Sequence, residues 1–264
     1  MKLEVLEMKA YLKSTTTPLV FVHGAAGGAW YFENFLAYFS NRGYDCYAIS
    51  LRGHGKSEGY EDLDTYGLED YVMDIKSVID GLGEKPILIG HSMGGAITQK
   101  YLGLFQSDLC GAILLASAEA GGIDSNSPLG LFFNDSMSFL RELRVKHPNE
   151  KMTLEMVMNQ TIFSNRFSSQ ELKTIKEKLT KESSIVKKDL LKPFMSGHEK
   201  ILIPIGVIGS LGDHIITKEK TEKTASFFRV KPIFVEDLCH FMTIDPEWRK
   251  AADAVYEWLR KHKK

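Results

Sequence analysis

Short apolar runs closed off by Gly or Pro, alternating with helical patterns, constrain this chain more than any other feature. The runs are Leu19 to Val22, Tyr44 to Ile49, Pro86 to Ile89, Gly111 to Leu115, Ile201 to Ile208 and Pro232 to Val235. They are too continuous for strands with one wet face and suit strands covered on both sides. Between them apolar residues recur at helical spacing. Trp30 to Phe39 carries Phe32, Phe35, Leu36 and Phe39; Leu68 to Leu82 carries Val72, Ile75, Val78, Ile79 and Leu82. Ala96 to Leu104 behaves similarly, and Pro246 to Leu259 puts Trp248, Ala252, Val255 and Leu259 on one face. This alternation predicts an α/β fold, a mostly parallel sheet flanked by helices.

The alternation stops after Leu115 and resumes at Ile201. Gly121-Gly122-Ile123-Asp124-Ser125-Asn126-Ser127-Pro128 is a loop signal, and the residues beyond it are rich in Phe and Met. A structureless loop of that length is uncommon in a compact domain. An inserted, mainly helical cap is therefore expected over residues 119–198, with residues 1–118 and 199–264 forming the core. Most of the cap's Phe and Met residues should be packing, and the remainder could line an apolar acyl pocket, since Met adapts to irregular shapes; Phe132, Phe133 and Phe163 are the candidates for that lining. Lys173, Lys176, Lys178, Lys181, Lys187 and Lys188 are interleaved with acids and read as a solvated helix face.

Composition narrows the partners. Lys+Arg 33 against Asp+Glu 34 over 264 residues leaves a net charge of −1, with no global basic field for a nucleic-acid backbone. A hydrophobic share of 44% is ordinary for a globular chain and too high for a disordered one. Cys46, Cys110 and Cys239 are an odd, widely spaced set without a CxxC, which argues for reduced thiols rather than a disulfide framework or a zinc knuckle. The N-terminus carries acids where a signal peptide would be apolar, and Pro204 breaks the most apolar later stretch. A cytoplasmic protein without an integral membrane segment is expected; the oligomeric state stays open.

Three segments carry candidate chemistry. Gly90-His91-Ser92-Met93-Gly94 follows directly on the run Pro86 to Ile89 and precedes a helical pattern. A serine on so sharp a strand-to-helix turn is strained and needs small residues two positions away on either side. The turn lifts its hydroxyl above the strand end and aims a helix N-terminus at it, which favours developing negative charge. His23-Gly24-Ala25-Ala26-Gly27-Gly28-Ala29-Trp30 also follows a strand run. Backbone N–H groups of Ala25 and Met93 could form an oxyanion hole. A phosphate loop is poorly supported there, because neither Gly-Lys-Ser/Thr nor G-x-G-x-x-G is present. Late in the chain, Gly209 to Asp213 and Cys239-His240-Phe241 each follow a strand run. Among the histidines after Ser92, His147 and His198 lie in or beside the cap, His262 in a charged tail, and His214 adjoins Asp213. His240 is left as the candidate base, and Asp213 as the acid, with Glu119 and Asp237 as alternatives.

At these residues the chain resembles the α/β-hydrolase superfamily. The matching features are His23-Gly24, Leu51-Arg52-Gly53-His54-Gly55-Lys56-Ser57, Gly90 to Gly95, Gly209 to Asp213 and His240, which run through nearly the whole chain except the cap. The resemblance implies Ser92 as nucleophile, Asp213 and His240 completing a triad, and Ala25 and Met93 as oxyanion donors. Gly24, His91, Phe132, Phe133 and Phe163 are expected near the substrate. Two features depart from the family pattern: the N-terminal hairpin looks abbreviated, and Cys239 stands where glycine often precedes the histidine. His54 is expected to be structural, holding the loop after the second run.

The expected activity is that of a serine hydrolase cleaving small to medium, partly apolar carboxylic esters through an acyl-enzyme, with no metal or organic cofactor. The same residues could instead open lactones, hydrolyse C–C bonds or cleave cyanohydrins; the segment from His23 to Trp30 also looks like that of plant methylesterases and hydroxynitrile lyases. A non-catalytic ligand-binding protein on the same scaffold is the alternative from another class.

Overall fold

A computed structural model of the chain describes residues 1–127, 130, 161–195, 197 and 199–262. Among these, seven strands form one sheet: β1 (Glu4–Met8), β2 (Leu19–Val22), β3 (Cys46–Ser50), β4 (Ile87–His91), β5 (Gly111–Leu115), β6 (Ile205–Ser210) and β7 (Ile233–Val235). Their spatial order is β1-β3-β2-β4-β5-β6-β7, with β1 antiparallel to β3 and every other pair parallel. The expected α/β architecture is thus observed. The segment before β2 supplies one antiparallel edge strand, β1. The run from Ile201 becomes a strand only at Ile205. Pro204 has no N–H to give a ladder, while its carbonyl accepts from Ala112 N–H at 3.0 Å.

Helices α1 (Glu33–Ser40), α2 (Leu68–Asp80), α3 (Met93–Phe105), α4 (Ser169–Lys178), α5 (Ser184–Leu190), α6 (Lys218–Phe227) and α7 (Arg249–His262) cover the sheet. Alternate strand residues sort cleanly between its two faces. Leu19, Phe21, Ile89, Ile113 and Ile208 pack with Phe35 and Phe39 of α1 and Val255 and Leu259 of α7. Val20, Val22, Leu88, Leu114 and Val207 pack with Val72 and Ile75 of α2, Ile97 and Tyr101 of α3, and Ala225 of α6. Complete burial on both sides explains why the strand runs are continuously apolar. Helix α6 was not foreseen. Its sequence is almost wholly polar, and of its ten residues it buries only Thr221, Thr224 and Ala225.

Between β5 and β6 the chain makes a long excursion. Its described part contains α4, which begins with Ser168 Oγ capping Glu171 N–H, and α5, capped by Ser183. Ile175 of α4 joins the α1/α7 side, while Val186 and Leu190 of α5 join the α2/α3 side. Phe132 and Phe133, together with His147 and His198, lie outside the described residues. Among the described residues no helix is long and apolar enough to cross a membrane.

Candidate active site

The parallel strands all end at one edge of the sheet, and the loops leaving their carboxyl ends carry the sequence candidates, which is where open α/β sheets build their sites. Ser92 stands between β4 and α3 with φ 55° and ψ −115°. That left-handed conformation is costly for a residue with a Cβ and persists only where the surroundings enforce it. They do so here. Ser92 N–H donates to Leu115 O at 3.0 Å, and Ser92 O accepts from Gly95 and Ala118 N–H. A Cβ at Gly90 would lie 2.2 Å from Gly94 O, and one at Gly94 would lie 2.3 Å from Val22 O. Both approaches are to backbone that cannot yield, so the small residues two positions either side of the serine are sterically required.

His240 follows β7 and its ring joins Ser92 to Asp213. Nε2 lies 2.9 Å from Ser92 Oγ and Nδ1 lies 2.8 Å from Asp213 Oδ2. An ionised carboxylate can only accept, so Nδ1 carries the proton and Nε2 presents its lone pair to the hydroxyl. Asp213 is buried, and its other oxygen accepts from Ile215 N–H at 2.7 Å and Ile216 N–H at 2.9 Å. Of the two alternative acids, Asp237 pairs with Arg166 at 2.8 Å and Glu119 is 4.0 Å from Lys223.

Two contacts hold the acid and the histidine in register, and motif spacing had not signalled either. Ser210, the last residue of β6, donates its hydroxyl to Leu238 O at 2.7 Å and accepts from Leu238 N–H at 2.9 Å and Gly212 N–H at 3.1 Å. It thereby stitches the Asp213 turn to the His240 loop. His91 is buried, and its Nε2 donates to the His240 carbonyl at 2.8 Å. Burial, with His240 beside it, lowers the His91 pKa to about 3, so this ring is a neutral strut. Arg166, from the excursion, adds a third anchor: it donates to both oxygens of buried Asp245, which in turn accepts from Cys239 N–H at 3.3 Å.

The loop from His23 to Trp30 lies against the serine turn. A Cβ at Gly24 would lie 3.1 Å from Ser92 Cβ and 3.0 Å from His91 Nδ1. Gly24 O accepts from His23 Nδ1 at 2.7 Å and from Gly27 N–H at 3.2 Å, which closes a tight turn around Ala25 and Ala26. His23 Nε2 accepts from Leu51 N–H at 3.1 Å. Donating at one nitrogen and accepting at the other, His23 is neutral, and burial takes its pKa to about 3. Met93 opens α3, where a first-turn N–H has no intrahelical acceptor. Phe163 packs on Phe241, with ring centroids 4.9 Å apart, and so reaches the residue next to His240. His54 is buried, its ring centroid 5.1 Å from that of His23.

A family model described as the alpha/beta hydrolase fold matches residues 17–247. Protein phosphatase methylesterase 1 of Candida albicans is 29% identical over 169 residues, which are 61% of this chain and 44% of that protein. The chain spans less than half the length of the first curated relatives it matches. Among solved structures, the Paleococcus ferrophilus monoacylglycerol lipase superposes with a TM-score of 0.72 at 22% identity, covering 100% of both chains. A thermophilic esterase from Thermogutta terrifontis gives 0.76 at 18% identity, covering 99% of this chain and 94% of that one. At such identities these structures speak for the fold. With the family model spanning most of the sequence, the chain belongs to the alpha/beta hydrolase fold family.

Proposed function

We propose that the protein is a serine hydrolase acting on carboxylic esters, with Ser92 as nucleophile, His240 as general base and Asp213 as its orienting acid. The observation that carries this reading is the unbroken chain from Ser92 Oγ through the His240 ring to Asp213 Oδ2, at 2.9 and 2.8 Å. The methylesterase relative and the lipase and esterase neighbours agree with an ester as substrate.

The chemistry follows from the geometry. His240 Nε2 takes the hydroxyl proton as Ser92 Oγ attacks the ester carbonyl, and Asp213 stabilises the imidazolium that forms. The tetrahedral oxyanion is held by Ala25 and Met93 N–H, the second at the positive end of α3. Collapse expels the alcohol with the proton from Nε2, leaving an acyl-Ser92; water deacylates it by the reverse sequence. Phe163 and Phe241, packed against each other beside His240, offer an apolar wall to an acyl or alcohol group.

Hydrolysis of p-nitrophenyl esters of graded chain length, with Ser92→Ala beside the wild type, tests the assignment. Loss of the nucleophile is expected to lower kcat by at least about 10⁴-fold, and a fluorophosphonate probe should label wild-type Ser92 alone. A Ser92→Ala protein hydrolysing at the wild-type rate would sink the reading. Absence of both turnover and labelling in the wild type would favour a binding protein on this scaffold.

A further inference from the structure

Glu182 lies just before α5 in the excursion, far in sequence from every residue of the site, yet it is buried. Its carboxylate collects four donors. Oε2 accepts from Ala26 N–H at 3.0 Å and from His54 Nε2 at 3.1 Å. Oε1 accepts from Tyr71 hydroxyl at 2.8 Å and from its neighbour Ser183 N–H at 2.9 Å. His54 Nδ1 faces Arg52 O at 3.0 Å. Both ring nitrogens of His54 therefore face acceptors, and the ring is an imidazolium paired with a carboxylate in the interior. Burial alone would drive His54 towards neutrality and raise Glu182, but their mutual attraction and hydrogen bonds reverse both shifts.

A buried ion pair is rarely a gain in stability over well-packed apolar residues, so its position calls for a reason. The residue it grips is Ala26, which has φ 60° although it is not glycine. The same excursion grips the other end of that residue: Thr180 N–H donates to Ala26 O at 2.9 Å, and Thr180 Oγ1 does so at 3.3 Å. Both backbone polar groups of Ala26 are thus held from outside the loop. A left-handed residue so clamped fixes the orientation of the peptide before it, and that peptide bears on Ala25.

We propose that Glu182 is the positioning residue of the oxyanion loop: by holding Ala26 N–H, with His54 as its counter-cation, it presents the adjacent Ala25 N–H to the oxygen of a substrate carbonyl at Ser92. This rests on the serine-hydrolase reading above. It makes the excursion part of the catalytic apparatus through a contact to backbone rather than to substrate, and it gives the His54 of the segment Leu51 to Ser57 a defined task.

The test compares Glu182→Gln with wild type on a carboxylic ester and on its thionoester, after titrating active sites with a fluorophosphonate. The variant keeps the shape but replaces one acceptor oxygen with a donor. Sulfur accepts hydrogen bonds weakly, so a thionoester draws little help from an oxyanion hole. Glu182→Gln is expected to slow the ester far more than the thionoester, lowering the ratio of the two rates at least about tenfold. Damage that merely reduces folded protein slows both alike and leaves the ratio unchanged, which would overturn the proposal. Should Glu182→Gln fail to fold, Tyr71→Phe, which removes one hydroxyl from the same carboxylate, should lower that ratio by about threefold; an unaltered ratio there would overturn it as well. A wild type inert to both substrates removes the hydrolase reading and this one with it, whereas an active wild type with a ratio insensitive to Glu182 removes this one alone.

Discussion

At the scale of single residues, the site is built from imidazoles in different charge states, each set by its partners. His23 and His91 are neutral because each is buried and neither pairs with a carboxylate; both have their pKa lowered to about 3. His54 is charged because Glu182 faces one nitrogen and a carbonyl the other. The sign of the pH effect follows. An unfolded imidazole takes up its proton near pH 6.5, so between there and about pH 3 the unfolded chain binds more protons than the folded one through His23 and His91. Stability is full above that window and declines as pH falls through it. His54, with its pKa raised, contributes fully below the unfolded value and loses its contribution only at higher pH, so it does not cancel the trend. The urea midpoint should therefore fall steadily from about pH 6.5 to pH 4, and the fall should be shallower in His91→Asn; a flat midpoint in the wild type would contradict this account.

At the scale of elements, the excursion between β5 and β6 touches two loops of the candidate site with opposite charges. Glu182 holds the loop after β2, and Arg166 holds the loop bearing His240 through Asp245 and Asp237. The two contacts differ in what their loss would leave. Asp245 is fully buried, and without Arg166 its carboxylate would have only backbone N–H groups and the Cys239 thiol beside it. Arg166→Met is expected to destabilise the fold by about 3 kcal/mol, the usual cost of leaving one member of a buried pair uncompensated. Chemical denaturation measures it, and Asp245→Asn in the same background should recover part of the loss. No loss in Arg166→Met would mean that the pair contributes nothing to stability.

At the scale of the whole molecule, the sheet is sealed on both faces and its buried thiols are sealed with it. Cys46 and Cys239 are buried, Cys110 is exposed, and none is in a disulfide. Burial pushes both interior thiols well above the usual range, which suppresses the reactive thiolate. Ellman's reagent should accordingly titrate one thiol rapidly in the native protein and three after denaturation, and a reducing agent should leave the melting temperature unchanged. Fast reaction of a second native thiol would show that the core opens locally.

The alternation of apolar runs determined the sheet and its two helical layers, because strands covered on both faces leave a continuous signature at β2, β4 and β5. The small residues around Ser92 were legible for a similar reason: a turn that tight excludes a Cβ at Gly90 and Gly94 whatever the rest of the chain does. Order along the chain also singled out Asp213 and His240 as candidates. Helix α6 leaves no periodic signature because it buries almost nothing apolar; Arg166 and Glu182 carry no local mark, and Ser210 lies in the Gly209 to Asp213 segment without any sign there of its contacts to Leu238. Each of these last three acts on a backbone or a carboxylate that only folding brings near. Local sterics and periodicity are written in neighbouring residues and can be read there. That the His240 ring faces Asp213 while Asp237 faces Arg166, and the charge of His54, depend on partners distant in sequence, and only the tertiary structure decides those.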